Sequence, residues 1–124
     1  MIKKILIIED DKFLRELIAK KLRSENFEVL EAKNGEEGIK KSQDKESGPD
    51  LILLDLILPG ISGFDALGEI KKTPPASEIP VIILSNLGQK DDVDKGMALG
   101  AVNFLIKAHF TPQEIVKKIK AVLK

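Results

Sequence analysis

Short apolar runs recur along the chain, and three of them are apolar at every position. Ile5-Leu6-Ile7-Ile8 stops at Glu9, Leu51-Ile52-Leu53-Leu54 stops at Asp55, and Val81-Ile82-Ile83-Leu84 stops at Ser85. Such runs predict strands covered on both faces, as in a parallel sheet. Phe27-Glu28-Val29-Leu30 and the segment from Val102 to Ile106 predict two further strands, the second followed by Lys107. Between the runs the apolar period becomes helical. Phe13, Leu14, Leu17, Ile18 and Leu22 predict a first helix with these side chains mainly in the core. Glu36 to about Lys45 predicts a polar helix resting on Ile39. Phe64, Leu67 and Ile70 mark a third helix, which Pro74-Pro75 ends.

A fourth helix, Lys90 to Leu99, carries Val93 and Met97 and is weakened by nearby glycines, since an interior Gly costs about 0.5–1 kcal/mol against Ala. The last helix has a capping box, with Thr111 as N-cap, Pro112 at its first position and Glu114 at its third. Ile115, Val116, Ile119 and Val122 form its buried stripe. Five strands alternating with five helices predict a doubly wound α/β fold with right-handed crossovers. The length suits one domain, residues 1–124.

Composition removes several function classes. Lys+Arg and Asp+Glu both number 20, so no bulk charge draws the chain to nucleic acid or to anionic membranes. There is no cysteine, which excludes disulfides, thiol chemistry and thiolate-bound metal. The apolar stretch before Glu9 is too short for a signal peptide or a membrane span. The expectation is a soluble, cytoplasmic protein with no direct nucleic-acid or membrane partner.

Ligands of open parallel sheets bind beyond the carboxyl ends of the strands. The residues there are Glu9, Asp10 and Asp11, then Asp55, then Ser85 and Asn86, then Lys107. Clustered carboxylates repel one another unless a cation neutralises them, and oxygen donors without His or Cys select a hard ion such as Mg²⁺. Phosphoryl transfer needs positioning and charge neutralisation more than covalent help. A metal, an amine and a hydroxyl around a carboxylate nucleophile meet that need, and Asp55 is the best-placed nucleophile. Asp11 reads as the N-cap of the first helix, and the lone His109 as a surface residue.

Nucleotide-binding glycine loops of the G-x-x-x-x-G-K-[ST] or G-x-G-x-x-G kind are absent. A flavin-binding relative of this fold would want a hydroxyl-rich phosphate loop where Glu9-Asp10-Asp11 stand. A phosphatase of the haloacid-dehalogenase type would want a second Asp where Ile57 stands.

Taken together, Ile5 to Asp11, Leu53 to Gly63, Pro80 to Ser85 and Gly100 to Lys107 resemble a response-regulator receiver domain of the chemotaxis-regulator type. The likeness spans the chain. It implies a flavodoxin-like sheet in the order 2-1-3-4-5 and a phosphorylation-dependent switch of a two-component system. By this resemblance Asp55 takes a phosphoryl group from a histidine kinase or histidine phosphotransfer protein. Asp10, Asp55 and the backbone carbonyl of Ile57 would ligate Mg²⁺, with Glu9 acting through water. Ser85 and Lys107 would contact the phosphoryl oxygens. Movement of Ser85 would let Phe104 turn inward, changing the face of the fourth helix, fifth strand and fifth helix for a downstream protein. The domain would catalyse only its own phosphorylation and dephosphorylation.

Two departures stand out. Ala108 follows Lys107 where the family usually has proline, often after a cis bond, and a cis bond here would cost about 2.5–4 kcal/mol. Ile57 and Leu87 place apolar side chains at two variable positions beside the phosphate, which predicts a long-lived phosphoform.

Overall fold

The computed structural model describes residues 2–46 and 48–124. Strands β1 (Lys4–Ile8), β2 (Glu28–Ala32), β3 (Leu51–Leu54), β4 (Val81–Ser85) and β5 (Asn103–Ile106) alternate with helices α1 (Lys12–Ser24), α2 (Gly35–Ser42), α3 (Gly63–Ile70), α4 (Lys90–Ala98) and α5 (Pro112–Leu123). All strands pair in parallel, in the order β2-β1-β3-β4-β5.

Side chains alternate across each strand, so each fully apolar run feeds two cores. Leu6, Ile8, Ile52, Leu54 and Ile83 pack with Ala66, Leu67 and Ile70 of α3. Ile5, Ile7, Leu51, Leu53, Ile82 and Leu84 pack with Ile18 and Leu22 of α1 and with Ile115, Val116 and Ile119 of α5.

Register positions the site. Ile8 lies opposite Leu54, and Leu54 opposite Ile83. The next residues, Glu9 and Asp55, therefore leave the sheet side by side, with the Asp55 amide on the Ile8 carbonyl at 3.0 Å. Gly63, at the start of α3, donates its amide to the Leu56 carbonyl at 2.9 Å. A Cβ there would collide with the Asp55 carbonyl, so glycine lets α3 begin against the site.

The strand β2 runs from 28 to 32, later than the pattern of Phe27 to Leu30 suggests. The Phe27 amide is still bonded to the Leu22 carbonyl at 3.1 Å, closing α1 and keeping this residue out of the ladder. α2 stops at Ser42 rather than near Lys45, where the Ser42 hydroxyl donates to the Ile39 carbonyl at 2.7 Å. Phe13 and Leu17 are not core residues: they are 77% and 41% exposed. The inward stripe of α1 is Leu14, Ile18, Ala19 and Leu22, and a residue one position earlier points about 100° away. Lys107–His109 forms a single 3₁₀ turn. The bond joining Lys107 to Ala108 is trans; Pro74–Pro75 is the one cis bond among the described residues.

The capping predictions are met. Thr111 and Glu114 form the reciprocal box at the start of α5, and the Asp11 carboxylate accepts the Leu14 amide at 3.1 Å at the start of α1. Among the described residues, no helix is long and apolar enough to cross a membrane.

Candidate functional site

Three strand ends converge on one hollow. Glu9 follows β1, Asp55 follows β3 and Lys107 follows β5. Glu9 and Asp55 are 3% and 5% exposed, unusually deep for acids, which are seldom buried unpaired. Asp10 faces solvent at the rim, yet one carboxylate oxygen from each of Glu9, Asp10 and Asp55 lies within 4.8 Å of the others.

The Lys107 ammonium reaches into this group, 2.5 Å from Glu9 Oε1 and 2.9 Å from Asp55 Oδ2. The other Asp55 oxygen, Oδ1, accepts the backbone amides of Leu56 at 2.7 Å and Ile57 at 3.3 Å. Glu9 Oε2 accepts the Asp11 amide at 3.1 Å. These donors hold the carboxylates in fixed orientations and offset part of their burial.

Burial pushes the Glu9 carboxyl up to about 7; the hydrogen bond from Lys107 pulls it down and the Asp55 charge pushes it further up. Burial alone would lower the Lys107 ammonium, but its hydrogen bonds to Glu9 and Asp55 outweigh this and hold it above the usual lysine value. One cation thus serves two buried anions, which leaves the hollow short of positive charge.

The donor set fits a hard divalent cation. It consists of carboxylate oxygens, with neither His nor Cys among the clustered groups, and Asp10 opens it to water. Ile57 lies on the loop at its edge with a 56% exposed side chain. Ser85 is fully buried at the end of β4, and its hydroxyl accepts the Leu87 amide at 3.3 Å, within its own loop. Phe104 of β5 lies opposite Ile83 and is half-buried against the core. His109 is exposed.

One residue in this region escapes a reading of motifs. Arg15 of α1 donates from a terminal guanidinium nitrogen to the Glu9 carbonyl at 2.8 Å, and from Nε to Glu31 Oε1 at 3.1 Å. The available signal was a charged residue in step with the apolar stripe, three and seven residues before Ile18 and Leu22.

This fold and this hollow define a flavodoxin-like domain with an acidic pocket at the switch point of its sheet. The chain belongs to the family described as the response regulator receiver domain, whose signature matches residues 5–120. It is 38% identical over 122 residues to the phosphate regulon transcriptional regulatory protein PhoB of Pseudomonas aeruginosa, covering 98% of this chain and 52% of that protein. The chain thus spans about half the length of the curated relatives it matches. A response regulator of Chloroflexus aurantiacus superposes with a TM-score of 0.88 at 30% identity, covering 99% of this chain and 98% of that one. The phosphorylated cyanobacterial phytochrome response regulator RcpA superposes with a TM-score of 0.81 at 31% identity, covering 98% and 91%. The chain is therefore a receiver domain of the two-component response regulators, a phosphorylation-dependent signalling switch rather than a classical enzyme.

Proposed function

We propose that Asp55 is the phosphoacceptor of this switch and that the hollow around it works with Mg²⁺. The observation that carries this reading is the Asp55 carboxylate, almost fully buried, gripped by Lys107 on one oxygen and by two backbone amides on the other. A carboxylate oxygen attacks the phosphorus of a donor phosphohistidine; an O–P bond forms, the N–P bond breaks, and the imidazole leaves. Asp10, Asp55 and the Ile57 carbonyl would hold the metal, with Glu9 acting through water. When bound, Mg²⁺ would supply the charge that lets crowded acids and phosphoryl oxygens share one site.

Lys107 neutralises phosphoryl oxygens as it now neutralises Glu9 and Asp55. Ser85 turns its hydroxyl from the Leu87 amide toward the phosphoryl group, and the space it vacates admits Phe104. That motion reshapes the surface of α4, β5 and α5 for a downstream protein. The phosphoryl donor is a histidine kinase or phosphotransfer protein, and the exposed Phe13 and Leu17 on α1 give its helices an apolar foothold.

The test is incubation with acetyl phosphate or phosphoramidate and Mg²⁺, followed by intact mass. A stable gain of one phosphoryl group that is lost in Asp55→Ala supports the reading. An unmodified protein would mark a binding module that does not use phosphate, and steady phosphate release would mark a phosphatase.

A further inference from the structure

Glu9 and Asp10 are consecutive, so a single peptide plane joins them. The carbonyl of that plane belongs to Glu9 and its amide to Asp10. The Glu9 carbonyl accepts a hydrogen bond from the Arg15 guanidinium at 2.8 Å. On the other side of Glu9, its own amide donates to the Ala32 carbonyl of β2 at 2.9 Å. The turn that presents two of the three clustered acids is thus tied at both ends of Glu9.

Arg15 is itself held. Its Nε donates to Glu31 Oε1 at 3.1 Å, and its side chain is only 14% exposed. Arg23 approaches the second Glu31 oxygen at 3.4 Å, so Glu31 on β2 is bracketed by two guanidiniums of α1. A planar guanidinium fixed by a carboxylate loses little further freedom when it grips a carbonyl. Nothing in this chain of contacts involves a carboxylate of Glu9, Asp10 or Asp55, so Arg15 does not compensate their charge by direct pairing.

We propose that Arg15, oriented by Glu31, is a positioning residue that fixes the Glu9–Asp10 peptide plane and so sets the spacing of the acidic pocket for its divalent cation. The inference rests on the metal reading above. It also carries a sign that simple electrostatics does not share. Deleting a positive charge near an acidic pocket strengthens cation binding. Deleting a positioning contact weakens it, and outer contacts of this kind are typically worth about tenfold or more in affinity.

The experiment titrates the full ¹⁵N-labelled chain with MgCl₂, following amide shifts, for the parent, Arg15→Ala, Arg15→Lys, Glu31→Gln and Leu22→Val. The Kd for Mg²⁺ rises about tenfold in Arg15→Ala and by less in Arg15→Lys and Glu31→Gln. It is unchanged in Leu22→Val, which loosens the packing of α1 near its C-terminal end, away from the turn. In metal-free Arg15→Ala the Asp10 amide resonance moves, because its peptide has lost the bond to the carbonyl. Should Arg15→Ala fail to fold, Arg15→Lys and Glu31→Gln decide in the same way. A parent that binds Mg²⁺ beside variants with an equal or lower Kd, or with an unmoved Asp10 amide, overturns the role of Arg15 alone. A parent that does not bind Mg²⁺ overturns the metal reading and this inference with it.

Discussion

The Lys107 ammonium lies 2.9 Å from Asp55 Oδ2 although 52 residues separate the two in the chain. The same ammonium is 2.5 Å from Glu9 Oε1, so one side chain from β5 balances acids from β1 and β3. Removing one partner of a buried pair costs about 3–5 kcal/mol when the remaining charge has no other relief. Here Glu9 can take up a proton, which limits the loss. Lys107→Ala is expected to destabilise the metal-free domain by about 2 kcal/mol near pH 8 and by less near pH 6. Thermal melts in chelator, followed by far-UV circular dichroism at both pH values, check this; equal losses at the two would contradict it.

Glu9 gives the pocket a pH dependence. Its carboxyl is raised from 4.5 to about 7 in the folded, metal-free chain. A raised value means that the folded state favours the protonated form. The associated stability is complete below about pH 4.5 and is lost as pH climbs through about 7. A cation bound there must displace that proton, so Mg²⁺ affinity should climb as pH rises toward about 7 and then level off. Calorimetric titration in two buffers of different ionisation heat measures the proton released. Glu9→Gln should flatten the profile, and a parent that releases no proton near pH 6 would refute the assignment.

Ile57 and Leu87, the two apolar residues expected beside the phosphate, differ in freedom. Ile57 is 56% exposed, whereas Leu87 is half-buried against the core. On the proposed reading both would crowd the approach of water to a phosphoryl group on Asp55, so Ile57→Asn and Leu87→Glu should each shorten the phosphoform's life. Leu87→Glu should also lower the melting temperature, because it puts a carboxylate into apolar surroundings. The decay of the phosphorylated mass after donor removal reads the first effect; an unchanged decay in both variants excludes the explanation.

Two helical glycines make a paired test. Gly68 of α3 has open space where a Cβ would be, so Gly68→Ala should stabilise the fold by about 0.5–1 kcal/mol. Gly96 of α4 has the Ile83 side chain 2.5 Å and the Phe104 ring 3.3 Å from that position. Gly96→Ala gains the same helical preference but must push α4 off β4 and β5, and is expected to be net destabilising. It should also shift the Phe104 ring resonances in the NMR spectrum. Chemical denaturation of the two variants gives the signs directly.

Where the pattern was unambiguous, the elements were legible from residues alone. The runs ending at Glu9, Asp55 and Ser85 are apolar at every position, and only a strand covered on both faces explains that. Local capping was equally readable at Thr111 and Asp11, because those contacts span only a few residues. The reading failed where a neighbour competed for the backbone. Phe27 looks like strand but spends its amide closing α1. Phe13 and Leu17 share the helical period of the core stripe, yet their angular offset leaves them in solvent.

By itself, the sequence determined which segments would be strand or helix, and that acids, a hydroxyl and an amine would each follow a strand. Those features follow from periodicity and from short-range bonding. Only the tertiary structure decided that Ile8 stands opposite Leu54, which sets Glu9 beside Asp55, and that Lys107 reaches both. It alone aimed Arg15 at the Glu9 carbonyl. Ångström distances between residues far apart in the chain depend on strand register and crossover packing, which no local pattern encodes.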